Sequence, residues 1–101
     1  MDPDSILEFM IADVVEATAG REKGKWYYVV GTDAEFLYLA NGKDRSLDNP
    51  KRKKRKHAKK VLCSATRVAE KLRNDDKVLS SELRRDLAYL SQNTQSNANG
   101  G

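Results

Sequence analysis

Ten consecutive residues carry most of the chemistry that the sequence offers. Residues 51–60 read KRKKRKHAKK, with eight lysines or arginines and one histidine. Cations at this density repel one another unless solvent or a polyanion screens them, so the run predicts an external anionic partner. A solvated face and a nuclear-import signal are alternatives with the same composition. The position of the run inside the predicted domain, rather than in a tail, favours contact with a polyanion.

A second group of cations is interspersed with glycines in residues 20–25, GREKGK. Glycine adopts φ > 0 and lets another backbone approach closely, so Gly20 and Gly24 predict a tight loop. This loop contains three cations, Arg21, Lys23 and Lys25. Their side chains are expected to project toward the binding partner of the loop. Such a loop can hold phosphates. An ordinary charged hairpin has the same spacing, and both interpretations stay open on the residues alone.

A catalytic site is harder to assemble from this sequence. His57 is the sole histidine and lies among cations, so it can hydrogen-bond a phosphate but has no evident triad partner. His57 and the sole cysteine, Cys63, cannot make a zinc site, and the pair Asp75-Asp76 is more typical of a turn or a helix cap. The segment from Gly20 to Gly24 is too short for a GxxxxGK[ST] phosphate loop. We therefore expect no enzymatic activity, no metal site and no cofactor.

The charge of the chain is unevenly distributed. The net charge of +4 combines 19 lysines and arginines with 15 acids, but residues 1–20 carry five acids and no lysine or arginine. Residues 21–60 carry thirteen cations against five acids. This positive middle is typical of a polyanion binder, with an acidic protein partner as the alternative. The single cysteine suits a reducing compartment, and no apolar run reaches the ~18 residues of a membrane span, so we expect a cytoplasmic location without membrane contact.

Short apolar segments separated by turn signals predict an antiparallel β domain. The predicted strands are residues 11–17, 25–30, 35–40 and 45–48. The Asn41-Gly42 pair between the last two is a strong hairpin signal. Alternation along the second strand places Trp26 and Tyr28 on one face and Tyr27 on the other, so most aromatic side chains are expected in the core rather than stacked on RNA bases.

The remainder of the chain changes character after the strands. Leu83, Leu87 and Leu90 recur at helical spacing behind Ser80 and Ser81, which predicts a helix of about three turns. The predicted organisation is an acidic lead-in (1–9), a β-barrel domain (10–65) with the basic run at 51–60, a connector (66–79), a C-terminal helix (80–91) and a disordered tail (92–101).

The segment DVVEATAGREKGKWYYVV, residues 13–30, resembles the KOW motif of RNA-associated proteins. The order of features after it, Asn41-Gly42-Lys43 followed by the lysine-rich run from Pro50, is similar to that of the fourteen-e type proteins of the large ribosomal subunit and their short bacterial relatives. This resemblance implies a mainly β fold: a small SH3-like (KOW) β-barrel with a short C-terminal α-helix.

The resemblance also implies a function, binding of large-subunit ribosomal RNA by recognition of phosphates and shape. The implied protein is a monomer when free, cytoplasmic and ribosome-associated, with neighbouring ribosomal proteins as further partners. The candidate RNA-binding residues are Arg21, Lys23, Lys25, Lys43, Arg45, Lys51, Arg52, Lys53, Lys54, Arg55, Lys56, His57, Lys59 and Lys60, with Gly20 and Gly24 as loop glycines.

A protein-interaction module is the alternative, because small SH3-like barrels also bind peptides or transcription and translation factors. The helix distinguishes the two. If the face with Leu83, Leu87 and Leu90 were uncovered, a partner helix would be favoured; if that face packs on the barrel, it only completes the core.

Overall fold

A computed structural model describes the backbone of residues 8–100 and the side chains of residues 8–93. Most of the predicted acidic lead-in, residues 1–7, lies outside the described residues. The elements are β1 (Asp13–Ala17), β2 (Trp26–Thr32), β3 (Phe36–Ala40), β4 (Lys51–Lys54), a 3-10 helix (Arg55–His57), β5 (Ala58–Cys63), α1 (Arg67–Arg73) and α2 (Ser80–Gly100).

All five strands form one antiparallel sheet in the order β4-β3-β2-β1-β5. The register shifts between Val14 and Val15 and again between Val29 and Gly31, and irregularities of this kind bend a strand and increase its twist. The two edge strands, β4 and β5, are joined by only the three residues of the 3-10 helix. The sheet is therefore strongly curled. The prediction of a mainly β, antiparallel fold is confirmed.

Each face of the sheet packs into a core of its own. Val14, Tyr28 and Ala40 lie on the face that the helices cover, where Leu83 and Leu87 of α2 are buried against them. The opposite face holds a second cluster, made of Val15, Ala17, Tyr27, Val29, Leu37 and Leu39. The predicted alternation along β2 is confirmed, and the leucine face of α2 packs on the sheet.

The predicted fourth strand is wrong. Residues 45–48 lie in the loop between β3 and β4, and the strand that pairs with β3 is Lys51–Lys54, with Leu39 opposite Lys51. The reason is Asn41, whose side-chain oxygen accepts hydrogen bonds from the backbone N–H groups of Lys43, Asp44 and Arg45 at 2.9–3.1 Å. These three bonds hold the chain in a loop where a two-residue hairpin was expected.

The helical part is longer than predicted. The predicted connector contains α1, which Thr66 caps by accepting a hydrogen bond from the backbone N–H of Ala69 at 3.2 Å. The second helix starts at the predicted Ser80 and continues to Gly100, past its predicted end at residue 91. Residues 92–100, predicted as a disordered tail, are therefore helical in the structure. The Asp75-Asp76 pair lies in the turn that follows α1, as predicted, with Asp75 at φ 59°.

A buried polar cluster joins the helices to the sheet. The Tyr28 hydroxyl donates to the carboxylate of Asp86 in α2 and lies 2.8 Å from Ser64 Oγ. Thr66 Oγ1 donates to the same carboxylate at 2.8 Å. Burial first, and then the bond to Asp86, raises the pKa of Tyr28 to about 12. Strand β2, the cap of α1 and helix α2 are thus held at one point.

Candidate nucleic-acid interface

The basic run forms part of the sheet. Its residues make up β4, the 3-10 helix and the first half of β5. Side chains alternate along β4, so that Arg52 and Lys54 are exposed while Lys51 and Lys53 are partly buried. Inward and outward cations of the same run therefore have different surroundings, which is the alternation expected for a strand.

The inward lysines of β4 bind the glycine-containing loop between β1 and β2. Lys53 Nζ lies 3.0 Å from Glu22 Oε1 and donates to the backbone oxygen of Ala19 at 2.9 Å. Lys51 Nζ lies 3.6 Å from the same carboxylate oxygen. The hydrogen bond from Lys53 is the main cause that lowers the pKa of Glu22 below its ordinary value. Glu22 thus offsets two of the cations and fixes the loop against the edge strand.

This contact joins the two basic segments of the sequence. The sequence predicted the loop and the run as separate features, and in one direction along the sheet two strands, β2 and β3, lie between β1 and β4. In the other direction, Lys53 bridges to Ala19 directly. The loop, at its expected place between β1 and β2, and the basic strand form one continuous surface.

A second ion pair connects this surface to the loop between β3 and β4. Lys25 Nζ lies 2.8 Å from Asp44 Oδ2, which also accepts a bond from Asn41 Nδ2 at 3.4 Å. The bond from Lys25 lowers the pKa of Asp44, and Asp44 raises that of Lys25. Arg45 lies half-buried in the same loop and Lys43 is exposed.

Three more cations of the run have structural contacts. Arg55 donates twice to the backbone oxygen of Asp33, at 2.7 and 3.0 Å, and Lys60 Nζ lies 3.2 Å from the buried carboxylate of Asp13. The guanidinium of Arg52 lies 4.5 Å from the centre of the Phe36 ring. Arg52 remains exposed, so it can stack and still meet a ligand.

The remaining predicted site residues differ in their exposure to solvent. His57 in the 3-10 helix is half-buried, and its backbone oxygen accepts a hydrogen bond from Thr18 N at 2.9 Å. Among the predicted site residues, seven exposed cations have no salt-bridge partner in the described part of the chain: Arg21, Lys23, Lys43, Arg52, Lys54, Lys56 and Lys59. These seven, rather than all the predicted site residues, are available to an external anion.

Groups for other chemistry are sparse. Cys63 is exposed, and its sulfur lies 3.8 Å from a guanidinium nitrogen of Arg73. Among the side chains of residues 8–93, no three of the metal-ligating types come together. Neither helix of residues 8–100 combines the length and apolar character that a bilayer span needs.

Sequence reasoning missed two acids of this surface, Glu22 and Asp44, and the buried Tyr27, which lines a cleft beside them. Both acids were visible as single negative charges between cations, a pattern that indicates local pairing. Tyr27 gave no such signal, because it looks like any aromatic residue of a strand.

A scan against protein-family models finds no match, and neither does a search of the curated proteins.

Proposed function

We propose that this protein binds RNA, in the first place ribosomal RNA of the large subunit, by phosphate and shape recognition on a KOW-type SH3-like barrel. The finer fold assignment is supported by the three-residue link between the edge strands and by the pairing of β5 with β1. The KOW assignment is supported by the position of residues 20–25 in the loop between β1 and β2.

One observation carries the proposal: the inward lysines of β4, Lys51 and Lys53, pair with Glu22 and hold the loop between β1 and β2 against β4, while other cations of both segments stay exposed. The pairing leaves an excess of exposed positive charge on a fixed framework. Phosphate contacts of this kind position a protein on RNA and release counterions. A rigid array of cations reads the spacing of phosphates better than a flexible tail does.

The protein-interaction alternative loses its main expected support. Leu83 is fully buried and Leu87 is 7% exposed, so the leucine face of α2 is used within the chain. A partner helix has no access to that face unless α2 leaves the sheet. We therefore propose a binding role for the basic surface and no enzymatic reaction.

The experiment compares two triple variants with equal loss of charge. Lys54, Lys56 and Lys59 are exposed on the basic surface, and replacing all three with Gln should weaken RNA binding roughly tenfold or more and lower the salt slope by about one unit per lost phosphate contact. The control replaces Arg67, Lys77 and Arg85, which are exposed on the helical side, with Gln. Fluorescence anisotropy with a labelled ribosomal RNA fragment at several salt concentrations measures both.

Equal loss of affinity in both triple variants would show attraction by net charge alone and would contradict the proposed surface. Sucrose-gradient sedimentation of cell lysate addresses the partner. We expect the protein to travel with the large subunit at low salt and to be released by a high-salt wash. If it stays at the top of the gradient at both salt concentrations, the ribosomal assignment is wrong.

A further inference from the structure

A cleft of about 350 Å³ lies between the loop of residues 18–25 and the loop of residues 41–50. It is lined by Arg21, Glu22, Lys25, Tyr27, Asp44, Arg45 and Lys51. One water molecule occupies ~30 Å³ of liquid, so the cleft has room for a small ion together with part of its hydration shell. Four cations and two acids line it, which gives it a net positive charge.

The acids of the cleft are already engaged. Glu22 is held by Lys53, a residue outside the cleft, and Asp44 by Lys25. Arg21 and Arg45 have no carboxylate within salt-bridge distance among the described residues. The two arginines are therefore the cations of the cleft with unused capacity, and a guanidinium group matches the oxygens of a phosphate in geometry as well as charge.

Tyr27 supplies an independent observation. Its side chain is 1% exposed, and its hydroxyl has no hydrogen-bond partner within the described part of the chain. A buried hydroxyl without a partner costs free energy, and native structures rarely keep one without a reason. Burial raises the pKa of Tyr27, with Lys25 acting in the opposite direction, so the hydroxyl stays protonated and can donate.

We propose that this cleft is a binding site for one phosphate group, held by Arg21, Arg45 and Lys25, with the Tyr27 hydroxyl as a hydrogen-bond donor. Lys25 and Asp44 line the cleft with Tyr27 and are 49% and 41% exposed, so phosphate would reach the buried hydroxyl by rotation of this exposed ion pair. The identification of the phosphate as part of an RNA backbone rests on the proposed function. Free phosphate and mononucleotides present the same phosphate oxygens to the cleft.

The test is a titration with inorganic phosphate followed by nuclear magnetic resonance of the backbone amides. Phosphate should shift the resonances of residues 20–25 and 42–45. The variant Tyr27→Phe, which removes only the hydroxyl, should bind phosphate roughly tenfold more weakly, as expected for a lost bond to a charged group. Tyr38→Phe is the matched control, because the Tyr38 hydroxyl donates to Asp33, which is not among the cleft residues, at 2.8 Å.

Stability separates a ligand role from a structural one. Because the free protein leaves the Tyr27 hydroxyl unpaired, Tyr27→Phe should unfold at the same or a higher denaturant concentration while losing phosphate affinity. Equal phosphate affinity in Tyr27→Phe and the parent protein would overturn the proposal. Loss of stability in that variant would also overturn it, since the hydroxyl would then have a partner in the free fold.

A parallel titration with an RNA oligonucleotide distinguishes the two proposals. If phosphate binds in a Tyr27-dependent way and RNA does not bind, the cleft is a site for free phosphate or a mononucleotide and the RNA function fails. If RNA binds with equal affinity to the parent protein and Tyr27→Phe, and phosphate leaves the cleft resonances unchanged, the RNA function stands and the cleft site fails. Competition of phosphate with RNA supports both.

Discussion

Tyr27 and Tyr28 are neighbours on one strand and both are buried, but their hydroxyl groups have opposite surroundings. Tyr28 faces the helices, where Asp86, Ser64 and Thr66 surround its hydroxyl. Tyr27 faces the other core, where its hydroxyl has no partner among the described residues. On the helix-covered face the tyrosine hydroxyl is hydrogen-bonded within the chain, whereas on the opposite face it is unpaired and lies beside a charged cleft. Burial alone does not separate a structural tyrosine from a candidate binding residue.

The largest expected effect lies where the helix-covered side meets a loop. Gly42 has φ 76°, and a Cβ at this position would overlap the Ser80 carbonyl oxygen and lie 2.8 Å from Arg84 N. Left-handed strain of ~1–2 kcal/mol and a clash with helix backbone add, so Gly42→Ala should lower the free energy of unfolding by about 3 kcal/mol or more. Chemical denaturation measures the loss.

Gly24 provides the matched control on the side of the cleft. Its φ is 91°, but a Cβ there meets nothing within 4 Å. Gly24→Ala should therefore cost only the ~1–2 kcal/mol of left-handed strain. Equal losses of unfolding free energy at the two glycines would show that α2 does not pack closely against the loop between β3 and β4. The contrast between the helix-covered face and the cleft side would then be weaker.

The next effect is the difference between the two tyrosines themselves. Tyr28→Phe leaves Asp86 without one of its buried donors and should cost about 1–3 kcal/mol of unfolding free energy, while Tyr27→Phe should cost nothing. Denaturation of both variants under one condition measures the contrast. A larger loss for Tyr27→Phe than for Tyr28→Phe would reverse the comparison.

Alkaline pH tests the same pair. The pKa of Tyr28 is raised from 10.0 to about 12 in the folded protein, so its contribution to stability is fully present below pH 10 and is lost as the pH rises through 12. Burial raises the pKa of Tyr27 in the same direction. The parent protein should lose stability steeply between pH 10 and 12, and Tyr28→Phe should lose it less steeply.

The smallest effect is expected at Glu22, on the cleft side. Its side chain is 21% exposed and paired with lysines, so Glu22→Gln should cost no more than ~1 kcal/mol. The pKa of Glu22 is lowered in the fold, so this contribution is present above the ordinary value of 4.5 and is lost as the pH falls through the folded value. The same change removes the contacts that fix the loop against β4, so it should weaken RNA binding a few-fold although it also removes a negative charge. Stronger RNA binding would mean that net charge, and not the fixed loop, determines affinity.

The sequence predicted those parts of the fold that depend on local pattern. Alternation located β1, β2 and β3 and assigned Tyr27 and Tyr28 to opposite faces, and helical spacing located the leucine face of α2. Helix α1 was missed, although Thr66 as a cap and the spacing of Val68 and Leu72 indicate a helix, because the segment is short and charged.

Tertiary contacts decided the parts that were missed. The shift of β4 from residues 45–48 to Lys51–Lys54 follows from three hydrogen bonds to one asparagine side chain, and a hairpin signal contains no information about them. Composition identified the basic run, but not which of its cations point inward. That division depends on the register in which β4 pairs with β3, and the unpaired hydroxyl of Tyr27 depends on which loop residues surround it.

The placement of the basic run in the two edge strands also affects folding and turnover. Folding brings the like charges of the run together in β4 and β5, so the free protein should be least stable at low ionic strength, where screening is weakest. Lysines on the exposed edge of β4 also disfavour strand addition by another chain. A bound polyanion stabilises the folded state in proportion to the logarithm of its concentration. Under the proposed function, RNA-free protein would then unfold more often than RNA-bound protein, and proteases would degrade it first.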